Sequence, residues 1–246
     1  MNQKVLQKQV AIFIPCYNEA RRIRIDTFQK FIQGNATVID FYFVDDGSKD
    51  ATGEIISQNL VSQSNCFLIS HPKNLGKGNA LREAYLKVAH NEYSFFGFID
   101  ADLDIPLEHL LKLYSTLENS QFKVAITQRA LYKNFSIGRL RSVSSVVMVT
   151  LANKMIGFTP KLGDTQCGCK LFSREMMEVG FNQPFHSEWL FDVEIFLRLR
   201  NELKNARETI CEVPLEKLGK PTQSNFRFLE NLKIIKQLYV IKRYYN

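Results

Sequence analysis

No stretch of this sequence is apolar over anything near the roughly 20 residues that span a bilayer. Met1 to Gln9 is polar and has no signal-peptide core. The expectation is a chain that is not integral to a membrane through a helix of its own. Cysteine is sparse and badly spaced for metal. The five thiols (Cys16, Cys66, Cys167, Cys169 and Cys211) are odd in number and include no C-x-x-C pair. Cys167 and Cys169 stand one residue apart, which is poor zinc spacing, so a reduced, cytoplasmic setting fits best. The four histidines, His71, His90, His109 and His186, show no ligand spacing. A Gly-x-Ser-x-Gly elbow is missing, as is any Cys/His pairing, which leaves hydrolase chemistry without support. Internal repeats, low-complexity tracts and linkers are also lacking. Charge is not balanced: 32 Lys and Arg against 25 Asp and Glu leave a net +7. That excess suits a soluble surface, and equally a taste for phosphate, nucleotide or anionic membrane. It brings no nucleic-acid recognition motif, so no nucleic-acid partner is expected.

What is present is an alternation. Val10 to Pro15, Ile39 to Val44, Cys66 to Ser70, Phe95 to Ile99 and Lys123 to Thr127 are short apolar runs. Such runs read as strands buried on both faces of a mostly parallel sheet. Helical patterns separate them, over Glu19 to Gln33, Thr52 to Gln63, Gly78 to Ala89 and Pro106 to Leu117. This is an α/β chain built from βαβ units. The second half reads as a long helix over Ile137 to Phe158, a loop running into a short strand over Lys161 to Arg174, a helix over Glu188 to Leu203, and a loop over Pro214 to Asn225. A basic amphipathic helix, Phe226 to Tyr245, ends the chain. The division expected is one domain over 1–225, with halves near 9–130 and 131–225, followed by the helix of 226–246.

Polar clusters follow the strands: Cys16 to Glu19, Asp45 to Ser48, His71 to Lys77, Asp100 to Asp102, and Gln128 with Arg129. Ligands in α/β sheets sit beyond the carboxyl ends of strands, so five clusters point to one rim. Asp100 and Asp102 supply two hard oxygen ligands at a strand end, suited to Mg²⁺ or Mn²⁺ with positions open for phosphate; a solvated acidic turn is the plainer alternative. Asp45 and Asp46 read either as acceptors for a base imide or, with Ser48 and Asp50, as caps of the next helix. Lys77 opens a helix after a glycine turn. The run is neither a Walker motif nor a dinucleotide fingerprint, which leaves an anion seat or a plain loop. Arg129, Arg139 and Arg141 form a loose basic group that suits a phosphate or merely solvent. Glu188 and Asp192, four apart, share a helix face, and either could act as a general base.

The ordered set of motifs resembles the family-two, inverting glycosyltransferases. VAIFIPCYNEARRI is similar to their opening strand and loop, FVDDGSKDAT to their nucleotide strand, NLGKGNALREA to their third loop and FIDADLDIP to their metal motif. DTQCGCKLFSRE and SEWLFDVEIFLRL most resemble the dolichyl-phosphate β-glucosyltransferases and their prokaryotic relatives. The likeness spans about residues 9 to 220 and implies that 1–225 is the catalytic domain, with a nucleotide-binding half near 9–130 and an acceptor half near 131–225. It implies a GT-A fold, with a Rossmann-like, mostly parallel central sheet flanked by helices, a UDP-sugar donor (UDP-glucose favoured) and a Mg²⁺ or Mn²⁺ cofactor at Asp100 and Asp102. By position, it places Pro15, Tyr17 and Glu19 in the nucleotide pocket. Asp46 falls at the uracil with Asp45 behind it, Lys77 near base or phosphates, and Arg129 at the arginine after the next strand. Gln166, Gly168 and Lys170 fall on the sugar and acceptor side, and Glu188, Asp192 and Glu194 in the acidic cluster near the acceptor. Thr127 and Gln128 depart from a usual Gly-Ser, and Cys169 from a usual aromatic.

The acceptor implied is a polyprenyl phosphate, which is already an anion. A hydroxyl acceptor on a glycan or glycolipid would need a base, with Asp192 first in line. A nucleotidyltransferase would show a glycine-rich signature near the N-terminus, and none is there. A non-catalytic nucleotide-sugar binding module would be free to lose the acidic cluster, and this chain keeps it. The terminal helix fits packing on the domain and peripheral contact with the inner face of a membrane equally well.

Overall fold

The computed structural model describes residues 9–129, 139–216 and 229–245, and in 139–147 and 229–236 the backbone only. The apolar runs form strands β1 (Val10–Cys16), β2 (Ile39–Asp45), β3 (Cys66–Ser70), β4 (Phe95–Ile99) and β5 (Val124–Gln128). Between and after them lie helices α1 (Ile25–Gly34), α2 (Thr52–Asn59), α3 (Lys77–Val88), α4 (Glu108–Glu118) and α5 (Arg139–Ile156). The rest of the chain adds β6 (Cys169–Ser173), α6 (Arg174–Phe181), α7 (Phe191–Glu202), a short 3₁₀ turn, β7 (Ile210–Pro214) and α8 (Leu229–Tyr245). One seven-stranded sheet results, in the order β3-β2-β1-β4-β6-β5-β7. Every pairing is parallel except those of β6, which runs antiparallel to β4 and β5.

Side chains alternate between two cores because the strand period is two. Val10, Ile12, Ile14 and Cys16 face α1, α2 and α4, with Phe28, Ile32, Phe41, Phe43, Leu110 and Leu113. Ala11 and Phe13 face α3, α6 and α7, with Tyr85, Phe96, Phe98, Phe172, Phe181 and Phe196. Ile241 of α8 is fully buried in this second core, and Leu238 and Tyr245 pack against it, so the end of the terminal helix lies on the domain.

The topology decides what meets the rim. Strand order reverses around β1, which has β2 on one side and β4 on the other, and a crevice opens at such a switch point. Because β6 is antiparallel, Cys169 pairs with Ile99, and the segment before β6 is delivered to the rim beside Asp100. Two expected helices start later than their sequence patterns suggest. Residues 19–24 form a turn in which Arg22 and Ile23 donate to the Glu19 carbonyl, and α1 begins only at Ile25. Likewise α7 begins at Phe191 rather than Glu188, because the backbone N–H groups of His186 and Ser187 are bound by a carboxylate of the helix itself. Strand β7 falls largely where no element was expected, just before Pro214.

Candidate active site

The loops after β1 and β2 are stitched together by short polar side chains. Asn18 N–H donates to Ser48 Oγ (3.0 Å), Lys49 N–H to Asn18 Oδ1 (2.8 Å) and Glu19 N–H to the buried Thr52 Oγ1 (2.8 Å). Asp45 accepts from Ser48 N–H at 3.0 Å, a cap-like role. Asp46 reaches the next loop, accepting from Leu75 N–H (2.8 Å) and Gly76 N–H (3.0 Å). Burial raises the Asp46 pKa, and those two donors and His71 oppose the shift. Tyr17, 41% exposed, stands at the open edge of this group, and Pro15 is half-buried below it.

The β3–α3 loop sets Lys77 at the start of α3. Gly76 takes φ +80°, a conformation that L side chains rarely adopt. A methyl at Gly78 would lie 2.6 Å from Phe191 Cβ, so the missing side chain lets α3 press onto α7. Asn79 locks that contact, donating to the Phe185 carbonyl (3.1 Å) and accepting from Phe185 N–H (2.8 Å). Lys77 Nζ then lies over the rings of Phe98 (5.7 Å) and Phe191 (5.5 Å) and 2.5 Å from Asp100 Oδ1. Burial works against the ammonium, but Asp100 and Asp192 prevail and hold its pKa above the ordinary lysine value.

Asp100 lies against Gly168, where any side chain would collide with its carboxylate. Asp102 accepts from Asp104 N–H at 3.1 Å, and burial together with Asp100 pushes its carboxyl upward. Glu19 is raised too, by burial first, with Asp102 and Asp100 adding to it against the pull of Arg22. One of its carboxylate oxygens, Oε2, is buried with no hydrogen-bond partner. Three carboxylates thus crowd one crevice with a single lysine among them. Among the described residues no group of three or more His, Cys, Asp or Glu side chains is gathered to hold a metal by itself. Asp100 and Asp102 fit a hard divalent ion that takes its remaining ligands from phosphate or water.

The second half supplies the floor. Lys170 is fully buried, donating to Asp192 Oδ1 (2.7 Å) and the Cys167 carbonyl (2.6 Å) with its Nζ 5.5 Å from the centre of the Phe98 ring. Burial raises Asp192, against the opposing pull of Lys170 and Lys77. Arg129 holds the fully buried Asp164 through Nε (2.7 Å) and Nη2 (3.2 Å), and this pairing raises the guanidinium pKa although burial opposes it. Gln166 donates its N–H to the same Asp164 at 3.1 Å, and its side-chain Nε2 is buried and unpartnered. Glu188 is exposed, with its Cγ 3.9 Å from the Cβ position of Gly76, so it lines the same rim.

Glu194 is not at the rim. It is fully buried and accepts from His186 N–H, Ser187 N–H (2.8 Å), Ser187 Oγ (2.5 Å) and Tyr245 OH (3.1 Å). Its place in the acceptor cluster is therefore corrected: this carboxylate ties the 186–187 turn to α8. Lys170 is corrected in the same way, since a fully buried ammonium between Asp192 and Cys167 presents nothing to a sugar. The side chains of Arg139 and Arg141 lie outside the described residues. Sequence reading missed Phe98 and Phe191 as the seat of Lys77, and the Asn79–Phe185 latch across 106 residues. A polar Asn in the first turn of α3 was the one signal available for the latch.

A crevice at the switch point, with carboxylates after β4 and a helix-opening lysine, describes a GT-A fold. Glucosyl-3-phosphoglycerate synthase from Mycobacterium tuberculosis, solved with Mn²⁺, UDP and glucosyl-3-phosphoglycerate, shares that fold. The TM-score is 0.67 at 18% identity, over 95% of this chain and 80% of that one. The chain belongs to glycosyl transferase family 2, whose family model matches residues 11–181. It is similar to a dolichyl-phosphate beta-glucosyltransferase of Trichomonas vaginalis, 27% identical over 218 residues, which cover 84% of this chain and 65% of that protein. The Homo sapiens dolichyl-phosphate beta-glucosyltransferase is 29% identical over 202 residues, 76% of this chain and 62% of that one. The chain thus spans slightly less than two thirds of the length of these relatives.

Proposed function

We propose that the protein transfers glucose from UDP-glucose to a polyprenyl phosphate, with inversion at the anomeric carbon. Family membership and the names of its relatives support glucose as the sugar moved and a lipid phosphate as the acceptor. The observation that carries the acceptor is the occupation of the acids. Asp192 is bound by Lys170, and Glu194 by four donors. A hydroxyl acceptor must lose a proton to a base. A phosphate monoester is an anion near neutral pH and needs none, so a floor with its acids engaged suits it.

In this reading each oxygen of Asp46 already takes one backbone hydrogen bond and keeps a lone pair for the imide N–H of uracil, with Asp45 bracing the loop. Pro15 and Tyr17 flank the base. A divalent ion held by Asp100 and Asp102 would supply neutralisation of the leaving diphosphate. Lys77 adds a cation beside it, and Gly168 leaves room for the Asp100 carboxylate. Arg129, oriented by Asp164, faces the acceptor phosphate, with Gln166 beside it and Glu188 at the entrance. The acceptor lives in a membrane, so the site works at its surface. Trp189 is 56% exposed beside Glu188 and donates its backbone N–H to Gln237 of α8, a helix whose exposed Tyr239, Lys242, Arg243 and Tyr244 suit the headgroup region. Among the described residues no helix is long and apolar enough to cross a membrane.

The test is incubation of the purified protein with UDP-sugars, Mg²⁺ or Mn²⁺, and polyprenyl phosphate in detergent or vesicles. UDP release should depend on the lipid phosphate, yield a β-linked glucolipid by NMR, and vanish in Asp102→Ala. UDP release with hydroxyl acceptors but not with lipid phosphate would transfer the role of base to Glu188 and reject the phosphate acceptor. Absence of both turnover and nucleotide-sugar binding would reject the transferase reading.

A further inference from the structure

One ion pair in the crevice sets two of the proposed donor-site roles in competition. Lys77 occupies the same carboxylate, Asp100, that a divalent ion requires, at 2.5 Å from Oδ1. Their side chains are about a third exposed, so the pair is reachable from the crevice rather than sealed in the core. In that position its Nζ also lies over the rings of Phe98 and Phe191, and the charge of Asp192, a carboxylate paired with Lys170, favours the ammonium as well. The flexible four-carbon stem lets the ammonium move while the helix start stays fixed. That start is pinned by the Asn79–Phe185 latch and by the contact of Gly78 with Phe191.

We infer that Lys77 is the resident cation of Asp100, displaced by the divalent ion onto the donor diphosphate, so that metal and nucleotide bind cooperatively through this one side chain. The inference rests on the proposed donor and metal, and it adds a positioning role that those do not require. Without nucleotide, a dication arriving at Asp100 meets an ammonium of like charge and must displace it. With a diphosphate present, the displaced ammonium finds a new anion, and both ligands gain. Linkage makes the effect reciprocal: whatever UDP contributes to Mn²⁺ affinity through Lys77, Mn²⁺ contributes to UDP affinity.

The experiment is calorimetric titration of the full chain with Mn²⁺ alone, with UDP alone, and with UDP in saturating Mn²⁺, for wild type, Lys77→Gln and Lys77→Arg. Thermal melts establish that each variant is folded. Lys77→Gln should bind Mn²⁺ alone about tenfold more tightly than wild type, since the competing charge is gone, and the Mn²⁺-dependent gain in UDP affinity should shrink by a similar factor. Lys77→Arg keeps the charge and should stay near wild type in both. Unchanged or weaker Mn²⁺ affinity in folded Lys77→Gln overturns the exchange. If wild type binds Mn²⁺ but no uridine nucleotide, the donor reading fails while the Mn²⁺-only comparison still decides the exchange.

Discussion

Asp192→Asn tests the deepest layer of the site. Lys170 is fully buried, and its two polar contacts are Asp192 at 2.7 Å and one carbonyl at 2.6 Å. Replacing the carboxylate with a neutral amide leaves an ammonium in the core without its counter-ion, which costs about 3–5 kcal/mol in buried pairs of this kind. Domains of this size hold roughly 5–15 kcal/mol in total, so the variant should fold but melt about 6–20 °C lower, at roughly 2–4 °C per kcal/mol. The double variant Lys170→Met with Asp192→Leu removes both charges, and a well-packed apolar pair is neutral or stabilising in such cases. It should return to within about 1–2 kcal/mol of wild type, less the carbonyl of Cys167 left without its donor. Denaturant unfolding reads the stabilities, and glucolipid formation from UDP-glucose and polyprenyl phosphate reads the chemistry. A positioning role predicts that the double variant recovers turnover to within about tenfold of wild type. A double variant that is stable yet as inactive as Asp192→Asn would refute the counter-ion assignment and return Asp192 to the part of general base. A single variant that loses less than about 1 kcal/mol would refute the electrostatics outright.

Gly168→Ala should leave the melting temperature nearly unchanged, because Gly168 is half-buried at the rim, but push Asp100 aside and lower kcat/KM by about a hundredfold or more; unaltered kinetics would separate Asp100 from the chemistry. Glu194→Gln places an amide against the backbone N–H groups of His186 and Ser187 and the hydroxyls of Ser187 and Tyr245, and should destabilise by roughly 1–3 kcal/mol per group left unsatisfied, with faster proteolysis of α8 as the local readout. His109 is buried on α4 with its pKa lowered by burial and by Lys112. Its contribution is present above the ordinary histidine value of about 6.5 and is lost as pH falls through the depressed folded value. The stability difference between wild type and His109→Leu should therefore shift against wild type on acidification, and a pH-independent difference in denaturant midpoints would contradict the assignment.

Much of the first half is legible because its signals are local. Runs such as VAIFIP and FFGFI are buried strands wherever they fold, since only a sheet covered on both faces accommodates them. The clusters that follow those runs lie at one rim because parallel strands all present the same end. The identity of Asp46, Lys77, Asp100 and Asp102 as rim residues thus follows from order along the chain. The second half is less legible because its decisive contacts are distant in sequence and its patterns ambiguous. Glu188, Asp192 and Glu194 look alike as acids on one helical stretch. Yet the fold leaves the first at the rim, binds the second to Lys170 across 22 residues, and buries the third under Tyr245 across 51. Nothing in the local pattern distinguishes them, since burial and partnership depend on which surfaces α7 meets. The antiparallel insertion of β6 between β4 and β5 was equally hidden, and it brings Gly168 beside Asp100. Sequence alone determined which residues of the first half reach the rim, because the strand period and strand ends dictate their direction. Only the tertiary structure decided which acids remain available, because a carboxylate's role depends on the donors that packing places around it.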